Sequence, residues 1–292
     1  MRNRIILDGW KLELGEIIMS ELKPFLKWIG GKRQLLPIIK QYIPKEYNTY
    51  FEPFVGAGAV LFELQPKTSV INDLNEELIN CYIQIKQNPW FIVEYLKQFS
   101  QDYSEQHYYQ IRNIDRDDNW SDYSAPFRAA RMIYLNKTGF NGLYRVNKQG
   151  YFNVPYGKHS NYMPDIETIM QVSQYLKNNN VKFNNIDFEL AVKQADKNDF
   201  VYFDSPYDII SDTANFTSYT KEGFTKDDQI RLRDCFKELS ERGCCCMLSN
   251  AGTDFIKDLY KDFTIVDVEA TRVLNCKSDK RGKVPEVLIM NY

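Results

Sequence analysis

The tetrapeptide Asp204-Ser205-Pro206-Tyr207 closes the apolar run Phe200-Val201-Tyr202-Phe203. A buried strand ending in a carboxylate, a rigid proline and an aromatic ring sets hydrogen-bond acceptors beside a stacking face. Such a surface suits a flat heterocycle with an exocyclic amine, which is the chemistry of a nucleobase. A base inside a duplex is out of reach, so an enzyme acting on it must swing it out, stack it on an aromatic side chain and bond its Watson–Crick edge. Tyr207 and Asp204 fit those two tasks.

A second chemical feature lies upstream. In Tyr50-Phe51-Glu52-Pro53-Phe54-Val55-Gly56-Ala57-Gly58-Ala59-Val60 a strand turns through glycines into a helix whose free N–H groups point at a ligand. The short strand Ser69-Val70-Ile71-Asn72 then ends at Asp73. An acidic residue about 20 positions past the first strand can accept hydrogen bonds from ribose hydroxyls. This spacing points to a nucleoside cofactor. A dinucleotide fold prefers a third glycine where Leu61 stands, which argues against NAD and favours S-adenosylmethionine.

These pieces need a frame that holds strand ends side by side. The runs Val181-Lys182-Phe183, Phe200 to Phe203, Cys244 to Leu248 and Phe263 to Val268 alternate with helical stretches, which predicts a largely parallel sheet in an α/β fold. Glu286 to Met290 follows soon after and is expected to add antiparallel pairing. Thr225 and Asp228 mark a capping box for a helix through Glu241, stopped by Gly243. Gln84 to Leu135 carries apolar residues three and four apart and reads as mostly helical. Asn136 to Lys158 reads as a β-hairpin turning near Lys148-Gln149-Gly150.

Five motifs in one order resemble the Dam-type (D12 class) DNA adenine-N6 methyltransferases, including partners of restriction systems that read GATC. They are Lys27-Trp28-Ile29-Gly30-Gly31-Lys32, the Phe51 to Gly58 loop, Ile71-Asn72-Asp73, Asn141-Gly142-Leu143-Tyr144-Arg145 with Phe152-Asn153-Val154-Pro155, and Asp204-Ser205-Pro206-Tyr207. The likeness runs from about Pro24 to the C-terminus. It implies a Rossmann-like class I methyltransferase sheet, with residues 20–83 and 164–292 forming the catalytic domain and 84–163 a helical and β-hairpin insertion for target recognition. Residues 1–19 match nothing in the family and read as a floppy leader or an extension from an upstream start codon, with Met19 as the usual beginning.

By this resemblance Trp28, Gly30 and Lys32 approach the methionine part of S-adenosyl-L-methionine, the Phe54 to Gly58 loop passes beneath it through Gly56 and Gly58, and Asp73 holds the ribose. Asp187 and Phe188 match the segment contacting the cofactor's adenine. Their plainer readings are a helix N-cap for Asp187 and core filling for Phe188 and Trp28. The hairpin is expected to enter duplex DNA, with Arg145 on a guanine edge, Leu143 and Pro155 at a thymine methyl, and Phe140 and Asn141 in the gap left by the displaced adenine. Lys27 is assigned to the first guanine. The plainer reading of the hairpin is a surface ribbon with aromatic pairs.

The implied reaction is direct transfer, with Asp204 and the Ser205 carbonyl accepting the two amine hydrogens and Pro206 and Tyr207 completing the pocket. Positioning and electrostatics supply most of the help, and no metal is required. The sequence departs from the family at Ser205, where proline is usual, which adds an N–H and loosens the turn. A homologue that binds DNA without transferring a methyl group is therefore the alternative reading. An RNA-directed relative is disfavoured because such enzymes usually carry asparagine at the Asp204 position.

Composition constrains the partners. The net charge of −2 and pI near 5.9 mean that DNA contact depends on a local face rather than on the whole molecule. Candidate cations are Lys23, Lys27, Lys32 and Arg33, then Arg128 and Arg131, then Lys277, Lys280, Arg281 and Lys283. Six cysteines without ligand or disulfide spacing and two scattered histidines fit reduced thiols in a cytoplasmic protein. Asp8, Lys11, Glu13 and Glu16 break the N-terminal apolar residues, so neither a signal peptide nor a membrane span is expected. A separately acting restriction endonuclease is the one further partner the resemblance suggests.

Overall fold

The computed structural model describes residues 22–28, 30, 32–158, 161–208, 224–271 and 283–292. The N-terminal leader and the Lys277, Lys280 and Arg281 cluster lie outside these residues. The strands are β1 (Tyr50–Glu52), β2 (Thr68–Asn72), β3 (Asn180–Asn184), β4 (Phe200–Phe203), β5 (Cys245–Ala251), β6 (Thr264–Thr271) and β7 (Lys283–Met290). They form one sheet in the order β3-β2-β1-β4-β5-β7-β6. The first five are mutually parallel, and β7 runs antiparallel between β5 and β6. The α/β expectation and the antiparallel final strand both hold.

Strand order reverses between β1 and β4, the point at which an open α/β sheet leaves a crevice beyond its strand ends. Both chemical motifs lie there, since the glycine loop follows β1 and Asp204 follows β4. β4 is buried along its whole length, as a central parallel strand covered on both faces must be. Its alternation divides the core: Phe200 and Tyr202 join the apolar cluster on one face, and Val201 and Phe203 join the cluster on the other.

The helices follow local signals. They are α1 (Leu36–Tyr42), α2 (Ala59–Leu64), α3 (Glu76–Gln87), α4 (Pro89–Ser100), α5 (Glu105–Asn113), α6 (Ala125–Thr138), α7 (Ile166–Asn178), α8 (Phe188–Ala191), α9 (Lys226–Glu241) and α10 (Asp254–Leu259). Asn75, Ser104 and Ser124 accept from the first turns of α3, α5 and α6, satisfying donors a helix start leaves open. The capping box at Thr225 and Asp228 is present, and Gly243 ends α9 at φ +87. Helices α3, α4, α6 and α7 contribute to one core cluster, and α8, α9 and α10 to the other.

Two expectations are corrected. Asn136 to Lys158 is not a laddered hairpin, because only the bridges Gly139↔Tyr156 and Val146↔Phe152 form. A 3-10 turn at Phe140–Gly142 interrupts it, with Asn141 and Gly142 at φ 54 and 64, conformations a strand cannot contain. The return comes at the expected place, where the Asn147 carboxamide accepts from the Gln149 and Tyr151 N–H groups. The second correction concerns charge. Arg131 is 5 % exposed, ion-paired to Asp115 at 2.9 Å and bonded to the Ile111 carbonyl, while Arg128 is held by Glu77. Lys32 is equally buried, at 4 %. These cations compensate internal partners rather than meeting phosphates.

Candidate active site

Asp204 stands one residue past β4, where the chain leaves the sheet. Its Oδ1 accepts from the Ser249 hydroxyl at 3.1 Å and pairs with the Lys32 ammonium at 2.6 Å. Ser249 comes from the neighbouring β5 and Lys32 from the 3-10 turn Lys32–Gln34 that precedes α1. Burial raises the Asp204 carboxyl above its ordinary value, opposed by Lys32 and Ser249. Burial alone would lower the Lys32 pKa, but Asp204, Tyr202 and Glu286 together outweigh it and the ammonium is held above its usual range. Because both donors take Oδ1, Oδ2 is left as the acceptor for a ligand.

Lys32 also donates to the Tyr207 hydroxyl at 2.7 Å, and Tyr207 donates to Glu286 Oε2 at 2.9 Å. The ammonium lies 4.4 Å from the ring centroid. With the shorter contact to the oxygen, this places the ammonium at the hydroxyl end of the ring. The turn between Asp204 and Tyr207 is braced from below: Gln229 donates to the Pro206 carbonyl at 2.9 Å, the Asn250 amide donates to Gln229 at 3.0 Å, and the Asn250 carboxamide oxygen accepts from the Asp208 N–H. Ser205 is 2 % exposed, and its hydroxyl has no hydrogen-bond partner among the described residues.

The crevice beside β1 collects most of the expected cofactor residues. Asp73 accepts from the Gly56 N–H at 3.1 Å and the Asn75 N–H at 2.9 Å, and burial lifts its pKa to about 6. A carboxylate oxygen has more than one acceptor site, so each retains capacity for a hydroxyl. Gly56 and Gly58 adopt φ 49 and 72, and Trp28 packs so close to Gly56 that a Cβ there would meet its ring at 2.9 Å. Trp28 also stacks on Tyr144 at 5.5 Å, and the Gly30 carbonyl accepts from Lys32 at 3.2 Å. These donors and acceptors suit a nucleoside with a charged amino-acid tail.

Asp187 caps α8 through the Glu189 N–H and pairs with Arg231 at 3.1 Å. Phe188 is 3 % exposed and packs at 5.4 Å from Phe54. Phe54 remains half-buried at the crevice.

Asn136 joins the crevice to the ribbon. Fully buried, it accepts from the Lys27 N–H and donates to the Lys27 and Gly142 carbonyls, all at 2.8 Å. Lys27, Phe140, Asn141, Arg145 and Pro155 are exposed together, with Leu143 half-buried. The Arg145 guanidinium is set in advance by bonds to the Asn153 side chain at 2.7 Å and its carbonyl at 3.2 Å. Sequence reasoning missed Ser249, Glu286 and Asn136. Only Asn136 left a signal, an amide inside an otherwise apolar helical stripe.

A mixed α/β sheet with a carboxylate and an aromatic ring after β4, and a glycine loop and a second carboxylate beside β1, fits the Rossmann-like class I methyltransferase type. The chain belongs to the D12 class N6 adenine-specific DNA methyltransferases, whose family profile matches residues 28–274. It is 51 % identical over 272 residues to the type II methyltransferase M1.LlaDCHI of Lactococcus lactis subsp. cremoris, covering 93 % of this chain and 96 % of that protein. The type II methyltransferase M.MjaIII of Methanocaldococcus jannaschii is 44 % identical over 291 residues, covering 93 % and 100 %. The DNA adenine methylase of Escherichia coli (strain K12) is 33 % identical over 276 residues, covering 93 % and 96 %. S-Adenosyl-L-methionine is the methyl donor of the class.

Proposed function

We propose that this chain methylates N6 of an adenine extruded from duplex DNA, within GATC, as the modifying half of a restriction system or as a solitary enzyme of the cytoplasm. The observation that carries the reading is the Asp204 carboxylate anchored through one oxygen at the switch point, next to the Tyr207 ring. Residues 84–163 supply target recognition, with Lys27 at their edge. When bound, S-adenosyl-L-methionine supplies an electrophilic methyl group. Asp204 Oδ2 accepts one amine hydrogen and the Ser205 carbonyl the other, which draws the nitrogen lone pair out of conjugation. Tyr207 holds the base plane, and Asp204, whose burial favours proton uptake, is the nearest acceptor for the proton the nitrogen sheds. Trp28, Gly30, Lys32, Phe54, Gly56, Gly58, Asp73, Asp187 and Phe188 shape the donor site.

The bracing by Gln229 and Asn250 supports activity despite Ser205, because it holds the turn that a proline would otherwise stiffen. The test is expression in a methylation-deficient host, followed by digestion of its DNA with GATC nucleases that require or are blocked by adenine methylation. Protection and a Ser205→Pro variant of similar activity, within about tenfold, are expected. Unmethylated DNA, rescued by the proline variant, would make the chain a binding homologue instead.

Two further outcomes follow from named contacts. Arg145→Ala is expected to relax preference at one base pair at a cost of about 1–3 kcal/mol, seen by comparing binding to a panel of single-substitution duplexes. Loss spread evenly over the panel would reassign Arg145 to phosphate. For Asp73, a folded pKa raised to about 6 means the folded state binds the extra proton between roughly pH 4 and 6, so this group's contribution to stability declines as pH rises through that window. Cofactor affinity runs the other way, because a ribose hydroxyl donates best to the ionised carboxylate. Calorimetric titration is expected to show Kd rising as pH falls below about 6, by at most about tenfold per unit, and a flat profile for Asp73→Asn.

A further inference from the structure

Glu286 is a buried acid, 7 % exposed, set in β7 opposite Ala251 of β5 and Val268 of β6. Burying a carboxylate is costly unless it is hydrogen-bonded, and its bond here is to the Tyr207 hydroxyl at 2.9 Å. That hydroxyl in turn accepts from Lys32 at 2.7 Å, and Lys32 pairs with Asp204. An ammonium only donates and an ionised carboxylate only accepts. The polarity of the chain is therefore set: Lys32 donates to Tyr207, and Tyr207 gives its own proton to Glu286.

We infer that Glu286 is a positioning residue for the methyl transfer, acting through Tyr207. The backbone end of Tyr207 is held by the braced turn after β4, and Glu286 pins the opposite end of the ring. A ring tethered at both ends loses little freedom when a base stacks on it. Without Glu286 the hydroxyl keeps Lys32, whose own carboxylate partner is Asp204, and the neighbouring Ser249, which also bonds Asp204. The ring and the ammonium then share a looser arrangement, and the acceptor geometry at Asp204 loosens with them. This inference rests on the reading of Tyr207 as the surface that holds the target base.

The test uses the full chain, S-adenosyl-L-methionine and a GATC duplex, with kcat and KM measured for single and paired variants. Glu286→Leu is expected to lower kcat about 10- to 100-fold, the range of one charge-assisted hydrogen bond, while calorimetry shows cofactor Kd within about threefold of native. Glu286→Gln, which keeps an acceptor but not the charge, is expected to lose only about fivefold. In a Tyr207→Phe background, where no hydroxyl remains to hold, both substitutions at position 286 are expected to have no further effect on kcat. Losses that multiply in that background, or a Glu286→Leu enzyme with native kcat, would overturn the inference. If Glu286→Leu loses cofactor binding through misfolding, the glutamine pair decides by the same rule. Native kcat in Tyr207→Ala would instead sink the underlying base-stacking reading, an outcome distinct from any result at position 286.

Discussion

Asp204→Ala is expected to abolish methyl transfer and also to weaken the fold, two effects with separate origins. The carboxylate is the side-chain acceptor proposed for the amine, and removal of a preorganised electrostatic contact of this kind costs about 10²- to 10³-fold in kcat. The same change strands Lys32. Its ammonium is almost fully buried and now paired at 2.6 Å, and breaking a buried pair from one side costs about 3–5 kcal/mol. Asp204 retains some exposure, with a side chain 22 % accessible, so a loss of about 3 kcal/mol, the low end of that range, is the expected result in urea unfolding. Adding Lys32→Met removes the orphaned charge. The double variant should recover most of the stability and none of the activity, whereas recovery of neither would mean that Lys32 is not what destabilises the single variant.

Gly58→Ala is the second large effect. Gly58 lies at φ 72 and ψ 34 as the N-cap of α2, a left-handed conformation that costs an L residue about 1–2 kcal/mol. A Cβ there would stand 2.6 Å from the Tyr82 hydroxyl. That hydroxyl is buried and donates to the Gly56 carbonyl at 3.0 Å, so relieving the clash breaks a bond inside the cofactor loop, for about 1–3 kcal/mol more. The combined loss is expected to be about 2–5 kcal/mol, with cofactor binding lost before the fold is. Gly150→Ala is the control. Gly150 also has positive φ, at +91, but nothing lies within 4 Å of its Cβ position, so only the conformational strain should appear. Equal losses at the two positions would show that the close approach to Tyr82 contributes nothing.

Much of the site was legible because its signals are local. The glycines after β1, the acid after β2 and the carboxylate and ring after β4 each follow their own strand within a few residues, so a single pass along the chain places them. The helix start at Thr225 is legible for the same reason, since a cap bonds within its own first turn. The ribbon was only half legible: its return at Asn147 is local, but the left-handed pair at Asn141 and Gly142 is stabilised by Asn136 and by Lys27 packed across Gly142. Cations misled for a related reason. Nothing near Lys32 or Arg131 in the chain announces the carboxylates that neutralise them.

The amino-acid sequence by itself determined that the fold is α/β, that a capped helix runs to Glu241, and which strand ends carry the glycine loop and the acidic motifs, because periodicity, caps and turn residues act over one or two turns of chain. Tertiary structure alone decided that Lys32 meets Asp204 and Tyr207, 175 residues from the latter, and that Glu286 reaches Tyr207 across 79 residues. Those partners are set by which strands lie next to one another and by the need to compensate every charge carried into the interior. Neither condition is written in the neighbourhood of the residues it brings together.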